Sequence, residues 1–370
     1  MDADKGIGAP DGALVLEDGS VFPGRFFGER RRARGEVVFT TSMYGYPEYL
    51  TDPSYRGQIL VVTHPLVGNY GVPKPLMKDG ILQNFESERV QVEALVVSQC
   101  TNGKRWDSEM RLSGFLKRDL VPGLEGVDTR TLVKKIRNKG VLYGTVVDIE
   151  EAKRAPKIVN EYESADYSKF TQVKHITVHN KGGIKVGVLD FGIKHGILSY
   201  LVDSGFEVAR FPPDTPVEKI LEYNPAGLVI SNGPGNPKLL DRHVKSVRSF
   251  LEYRLPILGV CLGHQLLSMA MDKQVTKMSY GHRGVNRGVV DTSTGACYIT
   301  THNHGYGIHE SEFREGEWKP WFRSLDDDYI EGCYHESLPA ISVQFHPESR
   351  PGVDDTRWVF QKFKKMCTES

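Results

Sequence analysis

Apolar positions in roughly the first 150 residues fall in short extended runs separated by turn residues. Ala13-Leu-Val-Leu-Glu-Asp-Gly-Ser-Val-Phe22 reads as two strands about an Asp-Gly turn. Residues 36–41, 58–63 and 92–97 continue the series, with Gly-, Pro- and Asn-bearing loops such as 64–71 between them. Helical spacing predicts a helix over 108–117. A second runs from an N-cap at Asp128 through Arg137 to a stop at Gly140, ahead of a strand over 141–147. Residues 1–150 therefore read as an α+β, sheet-rich domain. Residues 151–183 are polar and aperiodic, with Pro156, Asn160 and Gly182-Gly183, and read as a linker.

From 184 to 370 the pattern changes to alternating strand and helix. Buried-strand runs at 185–190, 206–210, 227–231 and 255–260 are interleaved with helical stretches at 194–203, 217–223 and 243–253. Repeated βα units predict an open parallel sheet, with working residues in the loops at the carboxyl ends of its strands. The whole chain is of the α/β class.

Composition narrows the function classes. The 47 basic residues balance the 47 acidic ones, so no electrostatic footprint for nucleic acid stands out. The one basic cluster, Arg30-Arg-Arg-Ala-Arg34, reads as a solvated loop. Cys100, Cys261, Cys297, Cys333 and Cys367 are dispersed without metal or redox spacing, which predicts reduced thiols and a cytoplasmic location. The start at Met1 carries no apolar secretory run, and no segment approaches the ~20 apolar residues of a membrane span.

The candidate chemistry sits in two places. Apolar residues 255–260 run into Gly259-Val-Cys261-Leu-Gly263 and then a helical stretch, the strand, tight turn and helix of a nucleophile elbow with Cys at its tip. Glycines two positions to either side leave the turn free of Cβ atoms, and the helix start favours a thiolate. Far downstream, His346 and Glu348 stand two apart at a strand end, so both side chains project to one face. His346 is placed to take the thiol proton, with Glu348 orienting the imidazole. His302 and His304 have spacing that would suit a metal. No third ligand accompanies them, so a loop or pocket role is the preferred reading and no metal is expected. His264 reads as a packing or capping residue, and the four other cysteines as structural.

These motifs carry a resemblance. Leu189-Asp-Phe-Gly192, Ser231-Asn-Gly-Pro-Gly235, Gly259 to Leu267, Asn303-His-Gly305 and Phe345-His-Pro-Glu348 are similar to the class I (triad) glutamine amidotransferases. With Leu16-Glu-Asp-Gly19, Gly35 to Phe39, Gly45-Tyr46, Thr51-Asp-Pro-Ser-Tyr55 and Gly68-Asn69, the whole chain resembles the small, glutamine-hydrolysing subunits of carbamoyl-phosphate synthetases. The resemblance implies Cys261 as nucleophile, His346 as base and Glu348 as its orienter. Backbone N–H groups of Leu262 and Gly233 would form the oxyanion hole. L-glutamine would be held by Ser54, Gly233, Gly235, Leu262, Gln265, Asn303, Gly305 and Tyr306, with Ser54 placing the site at the domain junction.

The same resemblance implies a separate large subunit that receives ammonia and makes carbamoyl phosphate from bicarbonate and two ATP, for arginine or pyrimidine synthesis. No Walker loop occurs, so ATP and Mg would belong to that partner, with no cofactor on this chain. Two alternatives stay open: a glutaminase serving another synthetase, or a non-catalytic regulatory subunit. Asn236, Tyr306 and the arginines of Gly281-His-Arg-Gly-Val-Asn-Arg287 depart from the common pattern, the last bearing only on loop contacts.

Overall fold

The computed structural model describes residues 8–154 and 162–369. The start of the chain, and Pro156 and Asn160 of the expected linker, lie outside the described residues. The strands expected in the first half are present as β1 (Gly12–Leu16), β2 (Val21–Gly28), β3 (Ala33–Thr40), β4 (Gln58–Val62), β5 (Ala94–Val97), β6 (Pro122–Glu125) and β7 (Leu142–Asp148). They close into a barrel in the order β1-β7-β3-β4-β5-β6-β2. Pairing from β3 through β6 is parallel and the remainder antiparallel. Closure was not legible in the sequence, because it depends on which distant runs pair.

Alternation along the strands builds two apolar clusters, as a two-residue period requires. Ile59, Val61, Ala94 and Val96 pack with Leu132 and Ile136 of helix α1 (Thr129–Lys139), while Leu60, Val62, Leu95 and Val97 pack with Phe115 and Leu116. Asp128 caps α1 through the Thr131 N–H at 2.9 Å, and Gly140 ends it. The helix expected over 108–117 is shorter. Ser108–Met110 pairs instead with Val72–Pro73, and the helix begins at Leu112. Strand pairing takes the first three residues of the expected helix, and Ser108 packs closely on Gly71, where a Cβ would come within 2.0 Å of its Oγ. Arg30 and Arg32 of the basic cluster pair at the surface with Asp11, Asp148 and Glu151.

Among the described residues the second sheet has ten strands: β8 (Thr177–His179), β9 (Ile184–Leu189), β10 (Phe206–Phe211), β11 (Gly227–Ile230), β12 (Ile257–Val260), β13 (Thr276–Asp291), β14 (Cys297–His309), β15 (Trp318–Ser324), β16 (Tyr329–His335) and β17 (Ala340–Val343). Their order is β8-β10-β9-β11-β12-β17-β16-β14-β13-β15. The run from β10 to β17 is parallel, as the βα repeat predicts. The flank from β17 to β15 is antiparallel, a feature the repeat does not announce. Part of the stretch read as linker belongs to this sheet, since β8 is its edge strand.

Helices cover both faces of the parallel part, which is why its strands are continuously apolar. Val186, Val188, Val229 and Leu258 meet α2 (His195–Asp203) and the C-terminal α3 (Trp358–Glu369). On the other face Leu228, Ile230 and Ile257 meet Val247, Phe250, Leu266 and Leu267.

Candidate active site

Cys261 follows β12 and serves as N-cap of a helix over Leu262–Ala270, with φ 54° and ψ −102°. A positive φ at a non-glycine residue is strained, and strain of this kind gathers at functional turns. The neighbouring glycines permit it. A Cβ on Gly263 would lie 2.0 Å from the Ile230 carbonyl oxygen, and one on Gly259 would lie 2.6 Å from that of Gly263. The Cys261 N–H donates to the Val343 carbonyl at 2.9 Å, fixing the elbow to the end of β17.

The chain leaving β17 carries His346, whose N–H donates to Thr301 O at 2.8 Å. Strand β17 thus positions nucleophile and imidazole together. His346 Nδ1 lies 2.9 Å from Glu348 Oε1. Its Nε2 is buried with no hydrogen-bond partner, and Cys261 is among the groups that act on this imidazole. A loose contact here suits a resting enzyme, since catalytic hydrogen bonds often tighten only with substrate. Burial disfavours the imidazolium, but the Glu348 carboxylate and the thiol contact outweigh it and raise His346 to about 10. That basicity suits a group that must take a thiol proton.

Lys194, the N-cap of α2, is a member of the site that the sequence reading missed. Its ammonium lies 2.7 Å from Glu348 Oε1 and donates to Arg350 O at 2.8 Å, with only 2% of the residue exposed. Burial works against both charges. For Glu348 the nearby Lys194 and His346 outweigh it, holding the carboxyl well below its usual range. Glu348, Glu86 and Asp52 likewise hold Lys194 charged. A lysine ahead of a helix has no local signature, so only the fold exposes its role.

One cleft gathers Cys261 with all the expected glutamine-binding residues: Ser54, Gly233, Gly235, Leu262, Gln265, Asn303, Gly305 and Tyr306. His346 and Glu348 stand behind the nucleophile instead, and His346 borders a second small cavity. Ser54 comes from the turn after Asp52, whose carboxylate accepts from the Ser54 N–H at 2.9 Å and from Asn303 Nδ2 at 3.0 Å. Ser54 Oγ also accepts from Asn232 Nδ2 at 3.0 Å. These bonds join barrel to sheet at the cleft. Gln265 Nε2 donates to the Tyr306 carbonyl at 2.9 Å and to Gln344 at 3.0 Å, holding β14 against the elbow helix. Asn303 O lies 3.8 Å from the Cys261 sulfur.

Gly233 packs against the Leu262 side chain, where a Cβ would come within 2.9 Å of Leu262 Cδ2, and both residues line the cleft. Glu36, Gln58 and Arg283 also line it. Arg283 lies in the segment expected to affect loop contacts alone, and the structure corrects that reading. The long β13–β14 hairpin carries both Arg283 and Asn303 to the cleft, paired across the ladder. His264 packs as expected, its Nδ1 2.8 Å from Ser342 Oγ, and burial pushes it down to about 3. Cys100, Cys333 and Cys367 are free and wholly or partly buried, while Cys297 is exposed.

Glu48 sits on the short helix Tyr46–Leu50, close to Glu86, with Oε2 buried and unpartnered. Burial, aided by Glu86, pushes its carboxyl up to about 7. A raised carboxyl binds its proton more tightly folded than unfolded, so the stabilisation is complete below about 4.5 and lost as pH rises through about 7. Glu48→Gln is therefore expected to raise unfolding free energy at pH ~8 by about 1–3 kcal/mol, a gain that fades toward pH ~4.5. Urea unfolding of both proteins across this range measures it; an equal difference at all pH values would contradict the assignment.

Residues 187–366 match the family described as glutamine amidotransferase class-I, and residues 14–146 match the carbamoyl-phosphate synthase small chain, CPSase domain. The carbamoyl phosphate synthase small chain of Sulfurisphaera tokodaii is 51% identical over 97% of this chain and 97% of its own. That of Saccharolobus solfataricus is 49% identical, covering 96% of this chain and 98% of its own, and that of Pyrococcus furiosus is 47% identical over 96% and 97%. Among the described residues no helix is long and apolar enough to cross a membrane.

Proposed function

The chain belongs to the carbamoyl-phosphate synthase small-chain family and is a glutamine-hydrolysing subunit of that ligase; we propose that Cys261, His346 and Glu348 carry out the hydrolysis. One observation carries the assignment of roles: strand β17 holds both an elbow cysteine with positive φ, through the Cys261 N–H to Val343 O, and the start of the segment bearing a buried imidazole already paired to a carboxylate. The Cys261 thiolate attacks the side-chain amide carbon of L-glutamine while His346 holds the thiol proton. The oxyanion forms beside the Leu262 and Gly233 N–H groups; losing one such donor costs about 3 kcal/mol of barrier. His346 passes its proton to the amide nitrogen and ammonia leaves, giving a glutamyl thioester. Water, deprotonated by the same imidazole, attacks the thioester, and glutamate and the free thiol are restored.

Ser54, Gln265, Asn303, Gly305, Tyr306 and the Gly235 backbone supply polar groups for the substrate's α-ammonium and α-carboxylate. Ammonia must avoid protonation in bulk water to remain a nucleophile. The cavity on the far side of His346 has a volume of ≈ 20 Å³, room for one small molecule, and is bordered by Thr40, Ser42 and Tyr55 of the barrel and by Lys194 and His302. We take the ammonia to pass from this site to a large subunit that holds ATP and Mg and uses it.

Acid-quenching the protein during turnover of isotope-labelled glutamine tests the nucleophile. A glutamyl adduct on the peptide bearing Cys261 is expected by mass spectrometry. Its appearance on another residue, or full turnover with none at any quench time, would overturn the assignment.

A further inference from the structure

We propose that His282, His302, His304 and Glu331 form a buried binding site for a zinc-like divalent cation beside the glutamine cleft, which His304 also lines. His282 lies on β13, His302 and His304 on β14, and Glu331 on β16. All four are at most 5% exposed, and one donor atom from each lies within 4.8 Å of the others. The paired histidines share a strand face, and the partners that local spacing lacked arrive from neighbouring strands.

Proton placement points to a cation. His304 Nδ1 lies 2.9 Å from the Tyr306 carbonyl, which only accepts, so this nitrogen carries the hydrogen and Nε2 a lone pair. His302 Nε2 lies 2.7 Å from Thr300 Oγ1, whose own proton is donated to Arg287 O at 2.8 Å. Nε2 is therefore the donor, and Nδ1 of His302 also presents a lone pair. The two lone pairs face each other at 3.1 Å. Glu331 Oε2, which has no hydrogen-bond partner, completes the triangle at 3.5 Å from His302 Nδ1 and 3.7 Å from His304 Nε2. Two imidazole lone pairs and a carboxylate oxygen thus converge in a buried space, an arrangement that a cation relieves.

The dimensions agree with zinc. Separations of 3.1, 3.5 and 3.7 Å between those three atoms are the ligand-to-ligand edges of a tetrahedral ion with bonds of about 2.1 Å, the length of a Zn–N or Zn–O bond. His282 Nδ1 now rests 2.8 Å from Glu331 Oε1, and completes a tetrahedron by exchanging that contact for the ion. Its Nε2 lies 2.7 Å from Asp327 Oδ2. Each histidine would then use one nitrogen for metal and direct the other N–H to a carboxylate, a hydroxyl or a carbonyl, the outer-shell pattern of metal-bound histidines. A dication with two carboxylates and three neutral imidazoles is also charge-balanced.

The site would brace β14 where Asn303, Gly305 and Tyr306 wall the glutamine cleft. Its role is structural, and the inference does not depend on how the cleft works.

Elemental analysis of the full chain, purified without metal-affinity resin or chelator, tests it. A single equivalent of zinc per chain is expected. Refolding with Co²⁺ alone should give the intense visible absorption of a tetrahedral site. His302→Gln and Glu331→Gln, which keep shape and hydrogen-bonding capacity, should weaken binding by more than about 100-fold, and Asp327→Asn by about 10–100-fold. Absence of stoichiometric metal both on isolation and after refolding with Zn²⁺ or Co²⁺ would overturn the proposal. So would unchanged stoichiometry and affinity in folded His302→Gln and Glu331→Gln proteins, which place the ion elsewhere.

Discussion

Replacing Cys261 with alanine is expected to lower glutamine-dependent carbamoyl phosphate synthesis by about 10⁴–10⁶-fold, the loss that follows removal of a covalent nucleophile. Ammonium-dependent synthesis by the same complex should stay within about twofold, because the thiol serves only to release nitrogen. The fold gives the variant little reason to be disturbed. The elbow hydrogen bond from residue 261 to Val343 is made by the backbone, and the space at the turn comes from Gly259 and Gly263. Alanine meets the same positive φ that cysteine already accepts. Side-by-side assays with glutamine and with ammonium, plus a melting curve, decide the matter. Equal loss of both activities in a folded variant would show that the chain does more than deliver nitrogen.

The elbow and the His346–Glu348 pair were legible because each is a local pattern: an apolar strand, flanking glycines and residues two apart on one face. The glutamine-binding set came from the resemblance, and the structure gathers all of it in one cleft. What stayed hidden depends on tertiary pairing. Glu36, Gln58 and Arg283 reach the cleft from separate strands, and the β13–β14 hairpin that presents Asn303 has mixed polar and apolar positions without a clean period. His302 and His304 were noticed, but Glu331 and His282 become their neighbours only through the antiparallel flank. Parallel strands declared themselves by continuous apolar runs. Barrel closure did not, since a half-buried strand reads the same whichever neighbour it pairs with.

Lys194 is the clearest case of a hidden functional residue, and its replacement by methionine should be the most damaging change to the fold near the site. Its ammonium is the fixed positive charge facing Glu348, and Glu86 and Asp52 add to the negative field around it. Arg350 satisfies part of Glu86, and the Gly196 N–H donates to that carboxylate at 2.9 Å, but Glu348 Oε2 has no partner to fall back on. Lys194→Met removes one of the two cationic partners of a buried carboxylate and leaves it with His346; losing one partner of a buried ion pair typically costs about 3–5 kcal/mol. The Glu348 carboxyl would move up, weakening its hold on His346, so kcat for glutamine should fall by about 100-fold or more with KM changing less. Lys194 does not line the glutamine cleft, and it acts by positioning Glu348. A double-mutant cycle with Glu348→Gln separates that role from simple packing. If the ion pair is the cause, Lys194→Met costs much less stability in the Glu348→Gln background than in the wild type. Additive losses in urea unfolding would assign the damage to lost packing instead.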